Sequence, residues 1–205
     1  MIAGARHLPR CRLRLAVALH ESGHAVVCLA IAARVQSATA KPDAGNVRLD
    51  PRPPAAPPPS RGIRIASGLA HGAVCFGGSI ACRLRLRSRW HGIGHEAARL
   101  SAEDLEGATE AIDALVACGI PLAVACEAIH RFTQAILMHH ARPLARLALE
   151  LARRGELSGD EIRAIVPEVQ ASNETLRLLG ETVGDLLARF PPPPGCDIEE
   201  RDGES

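Results

Sequence analysis

Two histidines stand four residues apart, His20 and His24, with Glu21 directly after the first. On a helix this spacing places both imidazoles on one face about one turn apart, within reach of a single metal ion. Two neutral nitrogen ligands leave coordination positions open, and a carboxylate beside them is placed to take a proton from water. The segment His20-Glu21-Ser22-Gly23-His24 thus has the make-up of a metal-assisted hydrolase site, with His20 and His24 as zinc ligands and Glu21 as general base.

So short a pattern has to be weighed against its surroundings. It lies inside an apolar run from Leu15 to Val35, flanked by Ala16-Val17-Ala18-Leu19 and by Ala25-Val26-Val27-Cys28-Leu29-Ala30. Such flanks predict a buried helix, where imidazole and carboxylate groups are costly unless paired or metal-bound. A surface helix with a stray histidine pair would carry many more polar residues. The run is long enough to span a bilayer, but its polar cluster would sit near the centre, where one acidic residue costs about 2.5–3.5 kcal/mol. The next apolar stretch, Ala111 to Ile129, is interrupted by Asp113, Gly119-Ile120-Pro121 and Glu127, so the sequence predicts no membrane span.

The elements around the motif follow from periodicity and punctuation. A first helix is expected from about Cys11 to Arg34, then an irregular segment with strand potential. The proline-dense stretch Pro51–Pro59 predicts an exposed, extended loop over 51–60. Gly62 to Ser67 alternates apolar and polar residues and predicts a short edge strand, a candidate rail for an extended substrate. A second helix is expected over Leu69–Arg87, followed by a glycine-rich loop around Trp90 to Gly94. His91 and His95 share that loop, where Gly92 and Gly94 disfavour a helix and hence a second histidine pair on one face. Arg83, Arg85, Arg87 and Arg89 read as a solvated face.

Ser101-Ala102-Glu103-Asp104 has the form of a capping box that opens the next helix. By spacing alone, capping accounts for Asp104 as well as metal binding does. A long helix is expected from Leu122 to Arg153, stopping near Gly155. Ser158-Gly159-Asp160-Glu161 opens another with a second capping box, ending at Val166-Pro167. Glu174 to Phe190 predicts an amphipathic helix able to dock on the core or mediate self-association, and 191–205 a disordered polar tail.

Leu19-His20-Glu21-Ser22-Gly23-His24-Ala25-Val26-Val27 resembles the zinc-binding helix of the FtsH-type ATP-dependent zinc proteases. In that family a third ligand, an aspartate followed by an aliphatic residue, two variable positions and Ala-Thr, comes about 75 to 80 residues downstream. Asp104-Leu105-Glu106-Gly107-Ala108-Thr109 is similar to that pattern, so the resemblance implies Asp104 as the third zinc ligand. Gly77-Gly78-Ser79-Ile80-Ala81 is similar to the family's Gly-Gly-x-x-Ala segment, and the stretches from Ala135 and from Gly155 to its closing helices. The resemblance covers about residues 12 to 166, and no G-x-x-x-x-G-K-[ST] phosphate loop occurs, so it is to the peptidase domain alone. One departure stands out: Cys82 and Arg83 follow where the family carries a glutamate near the site.

The resemblance implies a mostly α, compact helical zinc-peptidase domain with a small β element over 11–167, after an N-terminal extension 1–10 and before an added helix within 168–190. It implies a zinc-dependent metalloendopeptidase acting on unfolded or flexible polypeptides, with a homo-oligomer or a separate unfoldase as candidate partner. Cys82 supports the alternative, a catalytically degenerate binding or regulatory module. Composition agrees with a helical fold, since aromatic residues are only 2% and aliphatic ones dominate. A net charge of +1 gives no support for a nucleic-acid partner. The seven cysteines include no C-x-x-C pair and stand mostly among apolar neighbours, which predicts reduced thiols and a cytoplasmic location.

Overall fold

In a computed structural model, which describes residues 10–41, 44–50, 60–86, 101–170 and 173–192, the run carrying the histidine pair forms helix α1, Arg10–Ala30. It stops short of the expected Arg34. Ala32 adopts a φ of 64°, and the Ala33 N–H donates to the Cys28 carbonyl at 2.8 Å, a left-handed stop that redirects the chain. The segment of strand potential then becomes β1, Val35–Ala40, and β2, Gly45–Leu49, paired antiparallel.

Helix α2, Arg61–Leu86, replaces the edge strand expected over Gly62–Ser67 and the later helix start at Leu69. The alternation of Ile63 and Ile65 is too short to distinguish the two periods. Tertiary packing decides: Ile65 and Leu69, four residues apart, are both fully buried, while Ile63 is exposed. Of the four arginines expected on a solvated face, Arg83 and Arg85 are exposed, and Arg87 and Arg89 lie outside the described residues.

Helix α3, Ala102–Ala117, begins at the Ser101 capping box and ends before Gly119, whose φ is 81°. The single helix expected from Leu122 to Arg153 is instead two, α4 (Leu122–His139) and α5 (Ala141–Arg154), broken at His140. Pro143 explains the break: it has no N–H for the His139 carbonyl, and its ring crowds that position. Gly155, with φ 86°, ends α5 in the left-handed conformation. Then come β3 (Glu156–Ser158), α6 (Gly159–Ile165), a 3₁₀ turn (Pro167–Val169) and α7 (Asn173–Arg189). Helix accounts for 78% of the described residues, and the strands form one sheet in the order β2-β1-β3.

Helices α1 and α2 cross at the centre, where Gly23 and Gly77 let the backbones touch: a methyl group built on Gly23 would lie 2.4 Å from the Gly77 carbonyl oxygen. The α3 and α4 helices pack on α2, α5 packs on α1, and α7 docks on α2 and α4 through Leu186. Leu13–Ala30 and Arg61–Arg85 are each long and apolar enough to cross a membrane, and 72% and 67% of these windows are buried inside the fold. Cys28, Cys75, Cys82 and Cys118 are buried free thiols. The Pro51–Pro59 loop, the loop with His91 and His95, residues 1–9 and the tail from 193 lie outside the described residues.

Candidate metal centre

The α1 helix presents His20 and His24 toward the first turn of α3. Oδ2 of Asp104 lies 3.5 Å from Nε2 of His20, and Oδ1 lies 3.6 Å from Nε2 of His24. Ligands about 2.0–2.1 Å from a tetrahedral ion stand about 3.4 Å apart along each edge, so these separations suit a shared cation. The three ligand atoms all fall within 4.8 Å of one another, and His20, His24 and Asp104 are the one such group among the described residues.

Gly78 on α2 tests whether a cation would fit. A methyl group built there would lie 2.4 Å from Nε2 of His20 and 2.5 Å from Nε2 of His24, so a side chain at 78 would fill the space both nitrogens face. Glycine leaves that cradle open. The His24 ring is held from behind, Nδ1 lying 2.6 Å from the Val74 carbonyl oxygen. A carbonyl can only accept, so Nδ1 carries the proton and Nε2 presents its lone pair to the cradle.

The two readings of Asp104 turn out not to be rivals. Its backbone N–H donates to Ser101 Oγ at 2.9 Å, and its Oδ2 accepts from the Ser101 backbone N–H at 3.3 Å, a complete capping box. The same carboxylate faces both histidines. Capping fixes the rotamer that aims the side chain at α1, so the cap supports the position of a candidate ligand.

Glu21 is 7% exposed beside this group and faces β2, where a methyl group on Gly45 would lie 2.4 Å from its Oε1. Gly45 therefore lets the strand lie directly against the carboxylate. Burial foremost raises the Glu21 pKa to about 7; His20 pulls it down and Asp104 pushes it up. Burial alone would lower the His20 pKa, but its contacts with Asp104 and Cys82 hold it at about 10. Burial foremost, with the charge of His20 adding to it, lowers that of His24 to about 4. Burial would raise the Asp104 pKa, yet His20, His24 and the cap bring it down to about 2.

These residues line a cleft of about 390 Å³ with Cys28, Asn46, Val47, Leu49, Val74 and Glu103. Sequence reasoning missed the contribution of β2 to this wall, which only the strand potential after α1 hinted at. It also missed the Val74 carbonyl, since a backbone atom has no sequence signature. Cys82, the departure from the family pattern, is fully buried against His20, where it acts on that ring electrostatically. Compared with models of known protein families and with curated proteins, the chain matches none.

Proposed function

We propose that the chain is a zinc-dependent metalloendopeptidase of the FtsH peptidase type, cleaving unfolded or flexible polypeptides. The observation that carries this reading is the convergence of His20, His24 and Asp104 on the cradle at Gly78, with the carboxylate of Glu21 beside them. Two imidazole nitrogens and one carboxylate are a donor set that zinc accepts while keeping a position open. When bound, zinc supplies Lewis acidity and makes water a stronger nucleophile near neutral pH.

The chain's own groups then do the positioning and proton transfer. His20, His24 and Asp104 hold the cation, with Val74 and Ser101 orienting two of these ligands. Glu21 takes a proton from the attacking water as a new C–O bond forms at the scissile carbonyl, and delivers it to the amide nitrogen as the C–N bond breaks. The substrate rail is reassigned from Gly62–Ser67 to β2, an edge strand with β1 on one side that also lines the cleft. An extended polypeptide added to that edge would lie across Glu21 and the metal ligands. Stably folded substrates cannot supply such a segment, and without a phosphate loop in these residues cleavage by this chain should be independent of ATP.

The alternative, a metal-holding but catalytically degenerate module, is favoured by Cys82 beside His20, where a carboxylate is expected from the resemblance. Glu21→Gln separates the two. The variant should keep its zinc and helicity while its cleavage of an unfolded protein falls about 100-fold or more, the scale for losing a positioned acid–base group. Zinc-loaded wild type that is as inactive as Glu21→Gln across many unfolded substrates would reject the enzyme in favour of the module.

A further inference from the structure

Strand β2 carries an apolar face beyond the point where it meets Glu21. Successive side chains of a strand point to opposite faces. Gly45 faces Glu21, so Val47 and Leu49 share its face while Arg48 takes the other. Both apolar residues line the cleft; Val47 is half-buried against the core, whereas Leu49 is 39% exposed. A large apolar side chain in the open at a strand end could simply mark fraying, but here the end is pinned. The Asp50 N–H donates to the Arg34 carbonyl at 3.0 Å, and Gln36 Nε2 donates to Asp50 Oδ1 at 2.8 Å. Leu49 therefore keeps a fixed place in the cleft, which Cys28 and Val74 line from α1 and α2.

We propose that Val47 and Leu49 determine specificity, selecting extended polypeptides that bear apolar side chains at two alternate positions on one side of the residue held against Glu21. This role rests on β2 being the substrate edge, as proposed above. A chain added to that edge shares its two-residue period, so the side chains opposite Gly45, Val47 and Leu49 all point to one face. The first lies at Glu21 and the metal ligands. The next two lie beside Val47 and Leu49, where apolar groups on both partners lose their contact with water. A polar side chain there would give up its hydration without gaining a hydrogen bond from either residue. The residue between the two points away and is free to vary. Two adjacent apolar residues fail the same test, because only one of them can face the cleft.

Two short fluorescent peptides of identical composition test it, made of serine and threonine with two leucines that are either separated by one residue or adjacent. Binding is measured by fluorescence anisotropy on the full-length, zinc-loaded Glu21→Gln variant, so that cleavage does not intervene. The alternating peptide should bind about tenfold more tightly, the lower end of what an apolar pocket discriminates. Leu49→Glu, at an exposed position where folding tolerates the change, should erase that difference, whereas Leu49→Met and Arg48→Glu, the latter on the opposite face, should keep it. Equal binding of the two peptides, or a preference that Leu49→Glu leaves intact, would overturn the proposal. Cleavage is read separately on the chain with Glu21 restored, which should cut the alternating peptide with a kcat/KM about tenfold higher than the adjacent one. Spacing-selective binding with no cleavage of either peptide would reject the peptidase and keep Leu49 as the selector of a binding module.

Discussion

Helices α3 and α6 open with the same device and put it to different use. At each start a serine caps the helix, an acid three residues on closes the box, and the backbone bonds are reciprocal. The Ser158–Glu161 box spends its remaining hydrogen-bonding capacity on Arg154, at the surface, with the Glu161 side chain 40% exposed. In the Ser101–Asp104 box the side chain is 18% exposed and faces two imidazoles from another helix. Local sequence chemistry thus makes a cap in both places, while tertiary placement alone makes one of them a candidate ligand.

The comparison is most sharply tested by exchanging the acids. Asp104→Glu keeps a box-forming acid but lengthens the side chain by one methylene, pushing the carboxylate off the shared cradle. Zinc affinity should fall by about 100-fold or more, measured by competition with a chelator, whereas Glu161→Asp should leave it unchanged. Equal zinc affinities in the two variants would mean that Asp104 is only a cap.

Removing the serines should give a smaller and more instructive contrast. Ser101→Ala and Ser158→Ala each delete an N-cap hydroxyl and should lower unfolding stability by about 1 kcal/mol. Only Ser101→Ala frees the Asp104 rotamer, so only it should also weaken zinc binding, by about 10-fold. Identical effects of the two variants on zinc would show that capping and ligation at Asp104 are uncoupled.

The smallest effect is the pH dependence of the surface box. Bonds from the Ser158 backbone, Arg154 and the Ser158 hydroxyl hold the Glu161 carboxyl down at about 2, against an ordinary value of 4.5. A depressed carboxyl stabilises the fold above its ordinary pKa and loses that contribution as pH falls through its folded value. The stability difference between wild type and Glu161→Gln should therefore be flat above about pH 5 and shrink between about pH 4.5 and 2, followed by urea unfolding. A difference that stays constant over that range would deny the carboxylate its role.

How much of this was legible in the sequence depended on how far each signal reaches along the chain. Both boxes and the His20–His24 pair were readable, because their partners lie within four residues of each other. The break at His140 was in principle readable from Pro143, but the apolar periodicity on both sides masked it. The start of α2 was misread because six alternating residues fit either period, and only the burial of Ile65 beneath the other helices separates them. Gly45 and Gly78 were opaque for a different reason: each matters for what approaches it from another element, and glycine records nothing of its neighbour. The convergence of Asp104 with α1 was an expectation from resemblance, and the geometry now gives it a physical basis.

The most direct measurement is the zinc content of purified Asp104→Ala and Glu161→Ala beside wild type, with helicity recorded on the same samples. The shared-cradle account predicts about one firmly held zinc in wild type and in Glu161→Ala, and close to none in a folded Asp104→Ala. Folded Asp104→Ala that keeps its full zinc would contradict the account and leave Asp104 as a cap and nothing more.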